Sequence, residues 1–254
     1  MYSDKRDRTN DDIIAGRNPV LEALKAGREI DSLLIARETF SGSAARIISI
    51  CKDKGIVVKE VSPAKLDTMC SGINHQGVVA IVAAHAYAEL EDILEVAKNK
   101  NEPPFLIIAD EINDPHNLGA IIRTAEAAGA HGIIIPKRNS VGLTMSVAKA
   151  SAGAVEYMPV ARVSNLVSTI EELKKLGIWV YGADTSGNPV FKTDFSGAVA
   201  IVVGSEGNGI SKLLKEKCDF LVALPMNGKI DSLNVSVACG IIIYEVVRAR
   251  YLKS

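Results

Sequence analysis

The sequence predicts an α/β protein of two units, a small N-terminal one followed by a larger one whose mostly parallel sheet is covered by helices on both faces. Three observations carry this. Short β-branched runs alternate with helical segments along nearly the whole chain, the pattern of parallel strands joined by crossover helices. The composition is 48% hydrophobic with only 5% aromatic residues, and its wealth of Ile, Val, Ala and Gly suits helices packed on such a sheet. Between residues 86 and 104 the alternation breaks: five acids stand against two lysines ahead of Pro103-Pro104, which reads as a linker carrying a short helix. At roughly 100–200 residues per domain, 254 residues accommodate two modest domains.

Residues 1–12 are charged and nearly free of large apolar groups, as a disordered, frayed tail is. The first unit then spans residues 13–85. A strand from Ile13 meets the turn Gly16-Arg17-Asn18-Pro19, where Asn18 is suited to N-cap a helix beginning at Pro19 and Gly27 to stop it. A strand at Ser32–Ala36, a helix from about Ser43 to Lys54, a strand at Val57–Val61 and a short helix from Pro63 follow. His75-Gln76-Gly77 then leads a polar loop into a β-branched strand beginning at Val78.

In the second unit, 105–254, the alternation restarts with a strand at Phe105–Ala109, a helix at Leu118–Ala128, a strand at Gly132–Pro136 and a helix from about Thr144 to Ala152. A strand at Val155–Val160, a helix at Leu166–Leu176, strands at Ile178–Ala183 and Ala198–Val203, and a helix over Ser211–Lys217 come next. Asp219–Leu224 reads as a short buried strand that Pro225 ends by withholding a backbone donor. Asn227-Gly228 makes a turn, and Asp231 or Ser232 is suited to N-cap the apolar helix that runs to about Tyr251.

Several classes are disfavoured. No apolar run approaches the roughly 20 residues of a membrane span, and the opening residues Met1–Arg8 are too charged for a signal peptide, so a cytoplasmic location is expected. Cys51, Cys70, Cys218 and Cys239 are widely separated, with neither zinc spacing nor a Cys-x-x-Cys pair, and read as reduced, buried thiols. His75, His85 and His131 show no ligand spacing, and His116 beside a loop reads as structural, so no metal is expected. The formal net charge is −1, and residues 1–85 hold twelve Lys/Arg against eleven Asp/Glu, so any nucleic-acid surface must be local.

Three polar constellations fall in the second unit, each where a strand gives way to a helix, which is where open α/β sheets bind ligands. The first runs from Asp110 to Ala125 and places Asn117 at or just before a helix start. Gly119 and Arg123 are four apart on one helix face, so the missing side chain at Gly119 leaves room for Arg123 or for a ligand against the backbone. Taken alone, Arg123 on an otherwise apolar helix reads equally well as an exposed or ion-paired residue. The second, Val203 through Ser211, follows an apolar strand, but its glycine order is not G-x-G-x-x-G and Ile210 stands where a phosphate-binding loop requires lysine. Glu206 among its glycines suits a site that grips a cation, a hydroxyl or an amine, or one that arranges a neighbouring arginine; a solvated glutamate in an ordinary turn reads as well. The third is Leu224 through Ala238, where Ser232 and Asn234 sit at a helix mouth whose free N–H groups face an open loop.

Taken together and in this order, Asn117-Leu118-Gly119-x-x-x-Arg123-Thr124-Ala125, Gly204-Ser205-Glu206-Gly207-x-Gly209 and Leu224-Pro225-Met226-x-Gly228-x-x-x-Ser232-Leu233-Asn234-x-Ser236-x-Ala238 resemble the three motifs of the SpoU/TrmH group of RNA 2'-O-ribose methyltransferases in the SPOUT superfamily. Upstream, Gly16 through Leu24 and His75-Gln76-Gly77-Val78 resemble that family's N-terminal substrate-binding domain, so the resemblance covers nearly the whole chain. It implies an L30e-like α/β fold for residues 13–85. For the second unit it implies a SPOUT domain whose C-terminal segment is threaded into a deep trefoil knot, where spacing alone gives an ordinary doubly wound sheet.

The resemblance also implies chemistry. S-adenosylmethionine is expected in the knot, held largely by backbone groups, with Ala183, Gly204, Glu206, Leu224 and Leu233 as its binding positions. Methyl transfer to a ribose 2'-hydroxyl is expected, with Arg123 as the family's catalytic residue and Asn117, Glu206, Ser232 and Asn234 beside it. A guanidinium hardly ever loses its proton in a protein, so Arg123 is expected to orient the hydroxyl and adjacent phosphate. Glu206 then orients Arg123 or receives the proton, while Asn117, Ser232 and Asn234 position the ribose and the loops.

The N-terminal domain points to ribosomal RNA, and the resemblance is to the branch that methylates a guanosine ribose in the peptidyl-transferase region of large-subunit (23S) ribosomal RNA. A homodimer through the knotted domain is expected, with Arg17, Lys25 and Arg28 of one chain and Lys137 and Arg138 of the other joining into one RNA-binding surface. The alternatives are a 2'-O-methyltransferase acting on transfer RNA and a non-catalytic RNA-binding protein of the same fold.

Overall fold

The computed structural model describes residues 12–37, 39–40 and 42–252. The tail expected at residues 1–12 lies, apart from Asp12, outside them. Two compact units are present, one taking in residues up to Ala86 together with Gly142–Met145, the other Tyr87–Val141 and the residues from Ser146 on.

The first unit runs β1 (Ile13–Ala15), α1 (Arg17–Lys25), β2 (Ile30–Ala36), α2 (Ser43–Asp53), β3 (Val57–Val61), α3 (Pro63–Cys70) and β4 (Val78–Val82). Its sheet has the order β1-β4-β2-β3, with β2 and β3 parallel and β4 antiparallel to both β1 and β2. Strand β2 is buried along its length because each face meets a helix layer. Leu33 and Ile35 pack with Val20, Leu24 and Ile47, while Leu34 and Ala36 pack with Leu66, Cys70 and Val79. Helix α1 begins at Arg17, earlier than Asn18 suggested, because Gly16 enters it at φ 99, a backbone conformation that glycine adopts without cost.

The second unit adds α4 (Leu90–Asn99), β5 (Phe105–Ala109), α5 (Pro115–Ala127), β6 (Gly132–Pro136), α6 (Met145–Ala150), β7 (Val160–Val163), α7 (Leu166–Lys175), β8 (Trp179–Pro189), β9 (Val199–Val203), α8 (Lys212–Lys217), β10 (Phe220–Ala223) and α9 (Val235–Tyr251). Its sheet is six-stranded in the order β10-β8-β9-β5-β6-β7, and every neighbouring pair is parallel. Central strands β5 and β9 are buried at every position, as strands covered on both faces must be.

Three expectations change here. The strand placed at Val155–Val160 is a single 3₁₀ turn at Ala154–Glu156 followed by β7, so Val155 and Met158 are buried from a turn rather than from a ladder. Strand β10 lies at the sheet edge, with Phe220 43% exposed and Val222 buried. The acidic stretch read as a linker is built into the second unit: Leu90 and Ile93 of α4 pack with Leu106, Ile134 and Ile170. Glycine 132 makes this possible, since a Cβ there would lie 2.5 Å from Ile93 Cγ2. One of the acids that gave the stretch its linker look, Asp92, instead accepts from the Glu89 backbone N–H at 2.9 Å at the helix start.

The amino end of β5 is held by a buried histidine and a half-buried arginine. Wholly buried His131 accepts from the Phe105 N–H through Nδ1 at 2.9 Å, which leaves Nε2–H to donate to Glu102 at 3.1 Å. Burial pushes the His131 pKa below its ordinary value and outweighs the Glu102 hydrogen bond. Arg250, near the end of α9, donates to the carbonyls of Pro103, Pro104 and Gly197 and lies 5.1 Å over the Phe105 ring. The cysteines are free, and burial raises all four, Cys51 to about 11 and Cys218 and Cys239 to about 12. Among the described residues no helix is long and apolar enough to cross a membrane.

Replacing Ile93 by Ala should cost about 2–5 kcal/mol in urea unfolding, the usual loss for a fully buried isoleucine; a loss under about 0.5 kcal/mol would return α4 to the status of a surface linker. Below about pH 6.5 the unfolded chain takes up a proton at His131 that the folded chain resists, so stability falls as pH falls. The drop in urea midpoint between about pH 8 and about pH 5.5 should therefore be smaller in His131→Gln than in the parent.

Candidate active site

Loops at the carboxyl ends of β5, β9 and β10 converge. After β5, Asp110 is 5% exposed and accepts from the Ser211 N–H at 2.9 Å, tying this loop to the one that follows β9. Asp114 caps α5 by accepting from the His116 N–H at 2.9 Å, with Pro115 in the first turn. The helix thus starts earlier than Leu118, and Asn117 sits in its first turn, buried.

After β9 the chain turns sharply. Ser205 and Gly209 exchange backbone hydrogen bonds at 3.0 and 2.9 Å, closing a turn that presents Glu206, Gly207 and Asn208 to solvent. Gly204 admits this closure: a Cβ there would lie 2.0 Å from the Gly209 carbonyl carbon.

The third loop ends at Asn234, which joins all three. Its Oδ1 accepts from the Ser236 and Val237 N–H groups at 3.0 and 3.3 Å and from Ser236 Oγ at 2.6 Å, so Asn234 caps α9 rather than Asp231 or Ser232. Its Nδ2 reaches Asn117 Oδ1 at 2.9 Å and Glu206 Oε1 at 2.8 Å, and Asn117 Nδ2 donates to the same Glu206 oxygen at 2.8 Å. Residues 89 and 117 positions apart in sequence thereby share one junction. Glu206 Oε2 has no partner among the described residues.

Ser232 and Arg123 stand outside the junction. Ser232 is exposed, and among the described residues its hydroxyl meets only Asp231, at 3.5 Å. Arg123 lies six residues beyond Asn117, about 240° around α5, and is exposed with no hydrogen bond or ion pair among the described residues. The space at Gly119 belongs to neither Arg123 nor a ligand: a Cβ there would lie 2.4 Å from Ala150 Cβ, so the missing side chain admits the end of α6. Beside Arg123, Ala120 and Thr124 join Val237, Ile241 and Tyr244 of α9 in lining an open groove of about 630 Å³. Val237 and Tyr244 are half exposed.

Of the positions expected to hold a cofactor, Ala183 lies where β8 leaves register with β10, Gly204 and Leu224 follow β9 and β10, and Leu233 precedes the α9 cap. Strand β8 keeps register with β10 to Gly182, swings out over residues 183–187, and resumes at Asn188 opposite Val222. Gly187 lets it return, since a Cβ there would be 2.4 Å from backbone atoms of Leu221 and Val222. Asp184 in the excursion pairs with Lys215 at 2.8 Å; burial works to raise its pKa, but Lys215 and Ser186 outweigh that and hold it below the ordinary carboxylate value. Gly204 is buried, Ala183 and Leu224 are half-buried and Leu233 is exposed. No backbone group of residues 225–233 is hydrogen-bonded to another described residue. Open main-chain donors and acceptors between a strand end and a helix cap fit a ligand gripped by the backbone. Among the described residues no three His, Cys, Asp or Glu side chains gather as a metal set.

Of the basic positions, Arg17 is fastened to Gln76, donating from its backbone N–H to Oε1 and from Nε to the carbonyl, both at 3.2 Å. Lys25 pairs with Glu22 at 2.8 Å on the surface, and Arg28 is exposed. Lys137 and Arg138 begin a turn after β6 that is zipped to the β5 loop: Asn139 donates to Glu111 at 3.1 Å, and Ser140 Oγ and the Val141 N–H donate to the Ile112 carbonyl at 3.1 and 2.9 Å. This fastening has no sequence signal, for it joins side chains and backbone far apart in the chain.

Residues 104–244 match the model of the SpoU rRNA Methylase family, and residues 13–88 match that of the RNA 2'-O ribose methyltransferase substrate-binding domain. The chain is 54% identical over 240 residues to YacO of Bacillus subtilis, named for the TrmH family of tRNA/rRNA methyltransferases, covering 94% of this chain and 96% of that one. It is 44% identical to a Staphylococcus aureus protein of the same family name, covering 95% and 97%. The SpoU methyltransferase AviRb of Streptomyces viridochromogenes, crystallised with the cofactor AdoMet, superposes with a TM-score of 0.59 at 27% identity, over 94% of this chain and 90% of that one. An AdoMet-bound rRNA methyltransferase of Sinorhizobium meliloti gives 0.58 at 29% identity, over 93% and 87%.

Asn234→Ala should lower the unfolding free energy by about 1–2 kcal/mol in urea, the loss of a helix cap, whereas Asn234→Ser retains a capping oxygen and should lose about 0.5 kcal/mol or less. Equal losses in the two variants would shift the weight from the cap to the bridge with Glu206.

Proposed function

Because the chain belongs to the SpoU rRNA methylase family, we propose that it methylates a ribose 2'-hydroxyl of RNA, with a guanosine of large-subunit (23S) ribosomal RNA as its target. At the coarser level it is an S-adenosylmethionine-dependent RNA methyltransferase carrying an N-terminal substrate-binding domain. The observation that carries the finer reading is the junction of Asn117, Glu206 and Asn234 at the carboxyl ends of three parallel strands.

When bound, S-adenosylmethionine supplies the methyl group. The backbone of residues 225–233, with Ala183, Gly204, Leu224 and Leu233, holds it, and the C-terminal segment that includes these loops is threaded as the family's trefoil knot. The two asparagine amides both load Oε1 of Glu206 and leave Oε2 open. That oxygen accepts the 2'-hydroxyl proton in this reading. Arg123 orients the hydroxyl and its neighbouring phosphate through its planar fork of donors, and Ser232 positions the ribose from the loop.

A second copy of this chain completes the site. It covers the apolar groove between α5 and α9 and brings Arg123, which lies on the exposed side of α5, to the other copy's junction. Arg17, Lys25, Arg28, Lys137 and Arg138 then supply local positive charge to the RNA, since the chain as a whole carries a net charge of only −1.

The deciding experiment is transfer from labelled S-adenosylmethionine to large-subunit RNA extracted from cells lacking this gene, with the product mapped by ribose-methylation sequencing. One methylated guanosine ribose is expected, lost in Arg123→Ala by at least about 100-fold, the scale of removing a group that stabilises developing charge. Labelling of transfer RNA instead would keep the chemistry and overturn the target. Cofactor binding without transfer to either RNA would favour a non-catalytic RNA-binding protein.

A further inference from the structure

The junction leaves unused a cleft of about 210 Å³ at the carboxyl ends of β5, β6 and β7. Asp110 and Glu111 line it from the β5 side, Arg138 from the β6 turn and Ser164 from the turn before α7, with Leu166 and Leu213 as apolar walls. Sites for drug-sized ligands run to about 300–1,000 Å³, so this one has room for a single planar heterocycle and not for a whole cofactor.

Its polar groups are prepared rather than incidental. Asp110 is 95% buried by its 5% exposure; one carboxylate oxygen accepts from Ser211, and no described residue bonds the other. That second oxygen is free to accept a donor from a ligand in the cleft. Glu111 is held at φ 55, a left-handed conformation that is strained for a non-glycine residue. Asn139, also at φ 55, donates to it, and the same contacts with Ile112 fix the turn that carries Arg138. Arg138 itself is exposed and makes no ion pair among the described residues. Acceptors thus stand on the β5 side of the cleft and a guanidinium fork on the β6 side.

We propose that this cleft receives an unstacked guanine base of the substrate RNA, an inference that rests on the RNA methyltransferase reading above. Guanine presents adjacent N1–H and N2–H donors, which match carboxylates that can only accept, and O6 with N7, which match a planar arginine. Leucine walls accommodate its faces. Adenine carries one amino group and no N1–H, so it forfeits a carboxylate contact; hypoxanthine lacks the N2 amino group. Asn139 acts here as a positioning residue, holding Glu111 through its amide and belonging to the turn that carries Arg138.

Equilibrium dialysis of the full chain against labelled GMP, with AMP and IMP as comparators, tests this directly. GMP should bind about 10-fold more tightly than either, the lower end of what a bidentate base contact discriminates. Arg138→Ala should reduce the preference over AMP, whose N6 amino group stands where the guanidinium needs O6, and leave the preference over IMP, which shares O6 and N7 with guanine; Arg138→Lys should restore affinity without restoring the discrimination against AMP, because lysine has charge but no fork. S-adenosylmethionine binding, measured in parallel, should be unchanged in both. In the transfer assay Arg138→Ala should raise KM for RNA by about 10-fold with kcat changed less than about twofold. Equal binding of GMP and AMP, or a preference for GMP over AMP undiminished in Arg138→Ala, overturns the proposal. A parent protein that prefers GMP through Arg138 but methylates no RNA supports the cleft and sinks the methyltransferase reading; RNA methylation with no GMP preference does the reverse.

Discussion

One amide side chain sets the geometry of the site. Asn234 Oδ1 is committed to the start of α9, taking two backbone N–H groups and the Ser236 hydroxyl. Its amide nitrogen has only one direction left, and in that direction lie Asn117 and Glu206. A helix cap, normally a local matter of about 1 kcal/mol, therefore also fixes the relation between loops from β5, β9 and β10. The preceding residues, 225–233, are suspended between β10 and this cap, with their backbone groups turned to no other described residue. In the function proposed above, these anchored ends with open main chain between them are the recognition element.

That convergence requires backbones to approach more closely than side chains permit. At Gly204, Gly187, Gly119 and Gly132 a Cβ would lie between 2.0 and 2.5 Å from its neighbours. The first two fold the β9 turn onto itself and return β8 to β10; the others seat α6 on α5 and α4 against β6. A methyl group at any of them would have to displace another backbone or a packed side chain. The polar junction sits on a frame whose tolerances are set by absent atoms.

Much of this frame was legible. Runs such as Phe105–Ala109 and Val199–Val203 are apolar at every position because helices cover both faces, so composition and alternation announced the parallel sheet. Element type failed where tertiary packing overrode local pattern. Acidic α4 looked like a linker because its surface charges are visible in sequence and its seat on Gly132 is not; β7 was placed too early because Val155 and Met158 are buried without being paired. Within the site, Asn117, Glu206 and Asn234 stood out as polar groups at strand ends. Their division of labour did not, for Ser232, Asp231 and Asn234 are all good capping residues and only the bond to Glu206 selects one. Gly119 was misread for a related reason: a helical-face argument sees Arg123 four residues away and cannot see Ala150. The pairing of Glu111 with Asn139 joins residues 28 apart with no periodicity, and nothing in the linear order points to it.

The order in which the parts occur along the chain gives the last helix a second significance. Residues that follow β10 contribute Asn234 to the junction and Arg250 to the carbonyls of Pro103, Pro104 and Gly197. During synthesis every strand of the sheet emerges before either anchor exists. A chain interrupted at Ala223 would contain the Asn117 and Glu206 side chains yet lack the piece that joins them to the third loop. Biosynthesis thus completes the junction only once α9 follows the sheet out of the ribosome.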